Sequence, residues 1–198
     1  MPRVAGQIDE TKTEAILRAA SALFAERGMA ASMDEIARRA GVSKQTLYNR
    51  FPGKLEIARA LAARRSDAVT APLRAAGDTE TVLRALGEAL LDRVCSPTKN
   101  ASLRGVALLS AEAPEIARAI YDAGPAEGLR RLSAWLAEQH RAGRLDVPDP
   151  DQAAETFTGM VLGHAHLRTM LDVPQHKPEV RSERAREAAA RFVKAYSA

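Results

Sequence analysis

Six neighbouring polar residues have the types and spacing to do chemistry: Lys44, Gln45, Thr46, Tyr48, Asn49 and Arg50. Leu47 and Phe51, four apart, share one face of any helix through this stretch and turn it inward. The six polar residues are left to point mostly outward. They supply cations for phosphate, and amide and hydroxyl groups for base edges, Gln45 and Asn49 being suited to adenine. A catalytic surface has little use for that set, whereas a helix lying in a DNA major groove does.

The flanking residues provide the elements such a helix needs. Ser32 followed by Glu35 is a capping box, in which each side chain satisfies an orphan backbone N–H at a helix start. Met33, Ile36, Ala37 and Ala40 then form one apolar stripe. Gly41 suits the left-handed conformation that ends a helix, Val42 can plug the corner, and Ser43 can cap the next helix. Upstream, a first helix is expected from Thr11, with Ile16, Ala20, Leu23 and Phe24 inward, ending at Gly28. Residues 1–8 carry no periodicity and read as an arm, from which Arg3 could reach a minor groove. Downstream, Pro52 and Gly53 end the outward-facing helix, and Lys54 opens a long one running to about Ala71. A helix N-terminus with a lysine beside it is a natural phosphate anchor.

The run GVSKQTLYNRFPGK, with ILRAASALFAERG before it, resembles the helix-turn-helix of the tetracycline-repressor (TetR) family over roughly residues 11–58. Many family members carry a small residue where Gln45 stands, so a target sequence does not transfer from them. The resemblance implies an all-α fold of roughly ten helices: a three-helix DNA-binding domain over 1–53, then a helical effector-binding and dimerisation domain over 54–198. It implies a homodimer on a double-stranded operator, most simply a repressor released by a small apolar or amphipathic ligand. Ser32, Ser43, Lys44, Gln45, Thr46, Tyr48, Asn49, Arg50 and Lys54 are the expected DNA contacts.

Composition agrees with a soluble globular protein: 198 residues, 46% hydrophobic and 27% charged. The formal net charge is +4, and its placement matters more than its size. Between Glu35 and Arg65 eight cations stand against two carboxylates, an electrostatic footprint that coincides with the motif. The lone cysteine, Cys95, excludes an intramolecular disulfide and suits a reducing compartment. With no apolar run long enough for a membrane span and no apolar signal core, a cytoplasmic location is expected.

Beyond Pro72 the chain is mixed and apolar. Helices are expected over 79–94 (Val82, Leu83, Leu86, Leu90 and Val94 inward), 101–111, from Pro114, 129–139, 151–172 and 179–196, with DAGPAEG and AGRLDVPDP as breaks. Leu86, Leu90, Leu108 and Ile120 read as core. Trp135 and His164 are candidate ligand contacts, but no pocket set can be assigned from sequence. Gly159 and Gly163 permit close helix approach. The resemblance assigns this helix and the one around Trp135 to a four-helix dimer interface that includes Met160 and His164. His164 and His166, two apart, cannot clamp one metal, and no metal or cofactor is expected. No H-E-x-x-H, P-loop or nucleophile–base spacing supports an enzyme. The competing reading is a DNA-binding regulator controlled by a protein partner or with no ligand at all.

Overall fold

The structure, a computed structural model, describes residues 5–96, 110 and 113–197, with side chains from residue 10. Those residues form helices joined by short turns, with no strand among them: α1 (Ala5–Arg27), α2 (Met33–Ala40), α3 (Lys44–Arg50), α4 (Lys54–Val69), α5 (Thr79–Cys95), α6 (Pro114–Tyr121), α7 (Glu127–Arg141), α8 (Pro150–Leu162), α9 (Ala165–Met170) and α10 (Pro178–Ala195). The expected helix over 101–111, with Leu108, lies outside the described residues apart from Ser110, as does Arg3.

Two apolar clusters organise the chain. The first gathers Ile16, Ala20 and Leu23 of α1, Ile36 and Ala37 of α2, Leu47 of α3, Phe51, and Ile57 and Leu61 of α4. The stripe on α1 thus roofs α2 and α3, as its spacing requires. The second cluster joins α5, α7, α8, α9 and α10 and includes Leu83, Leu86, Leu136, Phe157, Val161 and Phe192. Phe157 and Phe192 meet edge to face at 5.3 Å and 79°, a favoured aromatic geometry. The 143–149 loop is drawn onto this core: Leu145 and Val147 are buried, Asp146 N–H donates to the Tyr196 carbonyl (2.8 Å) and Val147 N–H to His140 Nδ1 (3.1 Å). Helix α4 belongs to both clusters, with Ile57 and Leu61 in the first and Val69 against the second.

Three expectations about elements need correction. Helix α1 begins at Ala5, so residues 5–8 are helical and not part of an arm. The DAGPAEG run is not a break. Pro125 cannot donate to the helical ladder, and the chain absorbs it in a π-helical turn over Asp122–Ala126 that carries α6 directly into α7. The single helix expected over 151–172 is divided at Gly163, whose φ of +45° and ψ of −122° no helix permits. A Cβ there would also lie 2.7 Å from the Arg184 guanidinium. Cys95 is the last residue of α5, one beyond the expected 79–94, and its buried thiol donates to Gln175 Oε1 at 3.4 Å.

Candidate nucleic-acid interface

The two-helix unit is held by the local signals that the sequence carries. Glu35 N–H donates to Ser32 Oγ (3.2 Å), and Ser32 N–H donates back to Glu35 Oε2 (2.8 Å), completing the capping box. Those donations, with Arg27 beside them, hold the Glu35 carboxyl below its usual range. Gly41 ends α2 at φ +65°, and Thr46 N–H donates to Ser43 Oγ (3.1 Å) to start α3. With Leu47 fully buried and Phe51 nearly so, the orientation of α3 is set from beneath.

Of the expected contact residues, Ser32, Ser43, Lys44, Gln45, Tyr48 and Asn49 are exposed. Tyr48 keeps 47% of its surface accessible, a large aromatic with no packing reason to stand in solvent. Three others are committed to the protein. Thr46 is half-buried, its hydroxyl 2.8 Å from Ser43 Oγ within the cap. Arg50 reaches back to Thr13 Oγ1 of α1 at 2.6 Å, which ties α3 to its roof. Lys54 donates to the Met29 carbonyl at 2.6 Å, fastening the start of α4 to the 3-10 turn after α1. Lys44 meets Asp34 of α2 at 2.6 Å, and that hydrogen bond raises its pKa. Both partners are exposed, so water screens the pair and it contributes little to stability.

Much of the positive charge counted in the sequence is similarly engaged. Arg39 forms two 2.7 Å bonds with Glu26, and Arg64 forms bonds of 2.6 and 3.0 Å with Glu14. These pairs brace α2 and α4 against α1, in the bidentate geometry that suits guanidinium and carboxylate. The footprint is therefore narrower than composition implied: of these cations, Arg38 on α2 and Arg59 on α4 are exposed without a partner among the described residues, and they flank α3 instead of lying on it.

A second site is a cavity of about 530 Å³ between α4, α5, the α6–α7 turn and α8. Its walls include Leu86, Leu90 and Ile120, which sequence alone assigned to core, together with Arg65, Arg93 and His166. Neither Trp135 nor His164 is among the described lining residues. Trp135 packs half-buried on the second cluster, and His164 stands exposed beside a smaller cleft between α9 and α10. Burial lowers the pKa of His166. The cavity was not legible because its walls come from helices far apart in the chain. Arg65 and Arg93 sit among other charged residues on their helices, so no local pattern marked them.

A family model described as "Bacterial regulatory proteins, tetR family" matches residues 16–61, and one described as "AefR-like transcriptional repressor, C-terminal domain" matches residues 81–198. The chain belongs to the TetR family. Among solved structures, a TetR-family transcriptional regulator described as putative, from Mesorhizobium loti, superposes with a TM-score of 0.79 at 25% identity, covering 96% of this chain and 98% of that one. The flavonoid-responsive regulator FrrA superposes with a TM-score of 0.71 at 32% identity, covering 94% and 97%. The HTH-type transcriptional activator FasR of Mycolicibacterium smegmatis is 48% identical over 82 residues, which span 39% of this chain and 37% of that protein. That match therefore covers well under half of either protein.

Proposed function

We propose that this chain is a homodimeric, operator-binding repressor whose grip on double-stranded DNA is released by a small apolar or amphipathic ligand. The observation that carries the reading is the capped two-helix unit, with Lys44, Gln45, Tyr48 and Asn49 exposed on one short helix whose opposite face is buried. Lys44, Tyr48 and the Ser32 and Ser43 caps hold phosphates, while Gln45 and Asn49 read base edges. Arg50 and Lys54, bonded to α1 and its following turn, act by positioning α3 and join phosphate contacts only if those bonds open.

The reader is residues 1–53 and the regulatory body 54–198, with the first turns of α4 packed into the reader. The dimer forms through α8 and α9, where Gly159, Gly163 and His164 are exposed and Met160 is half-buried. Leu167 and Met170 on α9, with Leu171, Val173 and Val180 beyond, extend that surface as exposed large apolar residues. An unpartnered patch of this kind on a monomer is a mark of association, and two half-sites one helical turn apart require a two-fold partner. Trp135 lies against the core behind this surface. A small ligand is favoured over control by abundance alone because the body holds a half-open cavity of about 530 Å³, within the usual range for ligand pockets, about 300–1,000 Å³. The flavonoid response in FrrA's name is a property of that neighbour and agrees with ligand control. Repression follows the C-terminal family description; FasR's name says activator, and polarity in such proteins depends on operator placement. No helix among the described residues is long and apolar enough to cross a membrane, and a DNA-binding role sets the protein to work in the cytoplasm.

The test is footprinting on DNA upstream of the protein's own gene at two salt concentrations, with wild type, Lys44→Ala and Gln45→Ala. The expected result is a protected near-palindrome, weakened for all sequences by Lys44→Ala with the salt slope reduced by about 1, and altered at one base position by Gln45→Ala. A folded dimer that binds no DNA at low salt would overturn the reading.

A further inference from the structure

The cavity wall on α4 carries two polar groups that packing does not explain. Arg65 is half-buried and makes no hydrogen bond or ion pair with a carboxylate among the described residues. Burial, and then the like charge of Arg93 on α5, push its pKa down to about 10. Arg93 is itself half-buried and lowered by burial. Beside Arg65, Ser66 is 6% exposed, and its hydroxyl finds no hydrogen-bond partner. A half-buried cation without a counter-charge and an orphaned hydroxyl both oppose folding unless something else satisfies them. Glu155 of α8 is the one carboxylate on the described walls, is exposed, and bonds to neither arginine. Arg93 has the charge of neighbouring Asp92 beside it, so Arg65 is the guanidinium left uncompensated in a chamber otherwise walled mainly by aliphatic carbon.

We propose that this cavity selects an apolar molecule bearing one anionic group, a carboxylate in the simplest case, with the anion held between Arg65 and Arg93 and hydrogen-bonded by the Ser66 hydroxyl. This rests on the ligand-controlled reading above and narrows it to a chemical class. A planar guanidinium matches a carboxylate with two parallel bonds, and mainly aliphatic walls lower the local dielectric and strengthen that pairing. His166, whose pKa partial desolvation lowers although its side chain is exposed, adds a further hydrogen-bonding group. The anchor is also well placed for a signal. Arg65 lies eleven residues after Lys54 on the same helix, about 16 Å along its axis. An anion that draws Arg65 toward Arg93 pulls on the rod whose first residue is fastened beneath the reader. On the other side of α4, Arg131 of α7 donates to Asp67 and Thr70 at 3.0 Å each, so a shift of α4 is shared with the cavity's far wall.

The test compares decanoate with decanol, equal in chain length and different in charge, by calorimetric titration of the full-length dimer. Wild type should bind decanoate at least about tenfold more tightly than decanol, and decanoate alone should release operator DNA. Arg65→Met should abolish that preference, yet its ligand-free melting temperature should equal or exceed wild type, because the substitution removes an uncompensated charge. A lower melting temperature would mean that Arg65 is structural, and would overturn the assignment. Ser66→Ala, which leaves the charge in place, should weaken decanoate several-fold and decanol not at all. Equal binding of both probes would overturn the anionic class while leaving ligand control standing. Failure of both to bind or to release DNA would overturn the proposal and remove the cavity's support for ligand control.

Discussion

The two apolar clusters use similar side chains for opposite ends. Around α1, α2, α3 and the start of α4, each turn is set by a local signal and the interior is closed: Ile16, Ile36, Leu47 and Ile57 have no accessible surface. In the second cluster the helices meet at long sequence separation, and beside a closed core they leave a chamber of about 530 Å³ with a half-buried arginine on its wall. A surface that must present a helix at a fixed angle tolerates no slack. A body that must take up a ligand has to keep unfilled volume, and gives up dispersion contacts in doing so.

The contrast breaks most sharply under truncation. Leu47→Ala, in the closed cluster, should cost about 3 kcal/mol in urea denaturation, whereas Leu90→Ala, half-buried on the chamber wall, should cost only about 1 kcal/mol, since part of its side chain already lacks neighbours. Equal costs would mean that the chamber is collapsed in solution. A backbone probe comes next. Gly163→Ala forces a Cβ into a φ of +45° and against Arg184, and should cost about 2 kcal/mol with weaker dimerisation by analytical ultracentrifugation. Gly41→Ala meets no atom, and should cost about 1 kcal/mol from the left-handed conformation alone while weakening DNA binding. The smallest effect is the cap. Ser32→Ala should lower stability by about 1 kcal/mol or less, with operator affinity falling further than stability does, because the same hydroxyl is a proposed phosphate contact. A proportionate fall would reduce Ser32 to a cap.

The reader was legible because its determinants are short-range. Ser32 with Glu35, Gly41, Ser43, and the four-residue spacing of Leu47 and Phe51 all act within one or two turns, and each took the expected role. What misled was charge. Arg50 points outward by spacing, yet the end of α3 is close enough to α1 for its guanidinium to reach Thr13, and Lys54 likewise finds the Met29 carbonyl. Helical periodicity gives a direction from one axis and says nothing of what a long cationic side chain can reach on the next. Two of the misjudged boundaries have local causes whose outcome was not local. Pro125 ends most helices, but here α4 packs against the π turn and carries the chain through it, while Gly163, tolerated within many helices, divides one.

The sequence by itself determined the helix-turn-helix, the order and approximate extent of the helices it marks with caps and apolar stripes, and the family to which they point. Those depend on hydrogen bonds and side-chain spacing within a few residues. Tertiary structure alone decided which cations remain exposed on α3, that Leu86, Leu90 and Ile120 face a chamber, and that Arg65 shares that chamber with Arg93 and an unsatisfied Ser66 hydroxyl. Each of those facts is a relation between side chains on helices distant in sequence, and no pattern along one helix encodes what the next will bring beside it.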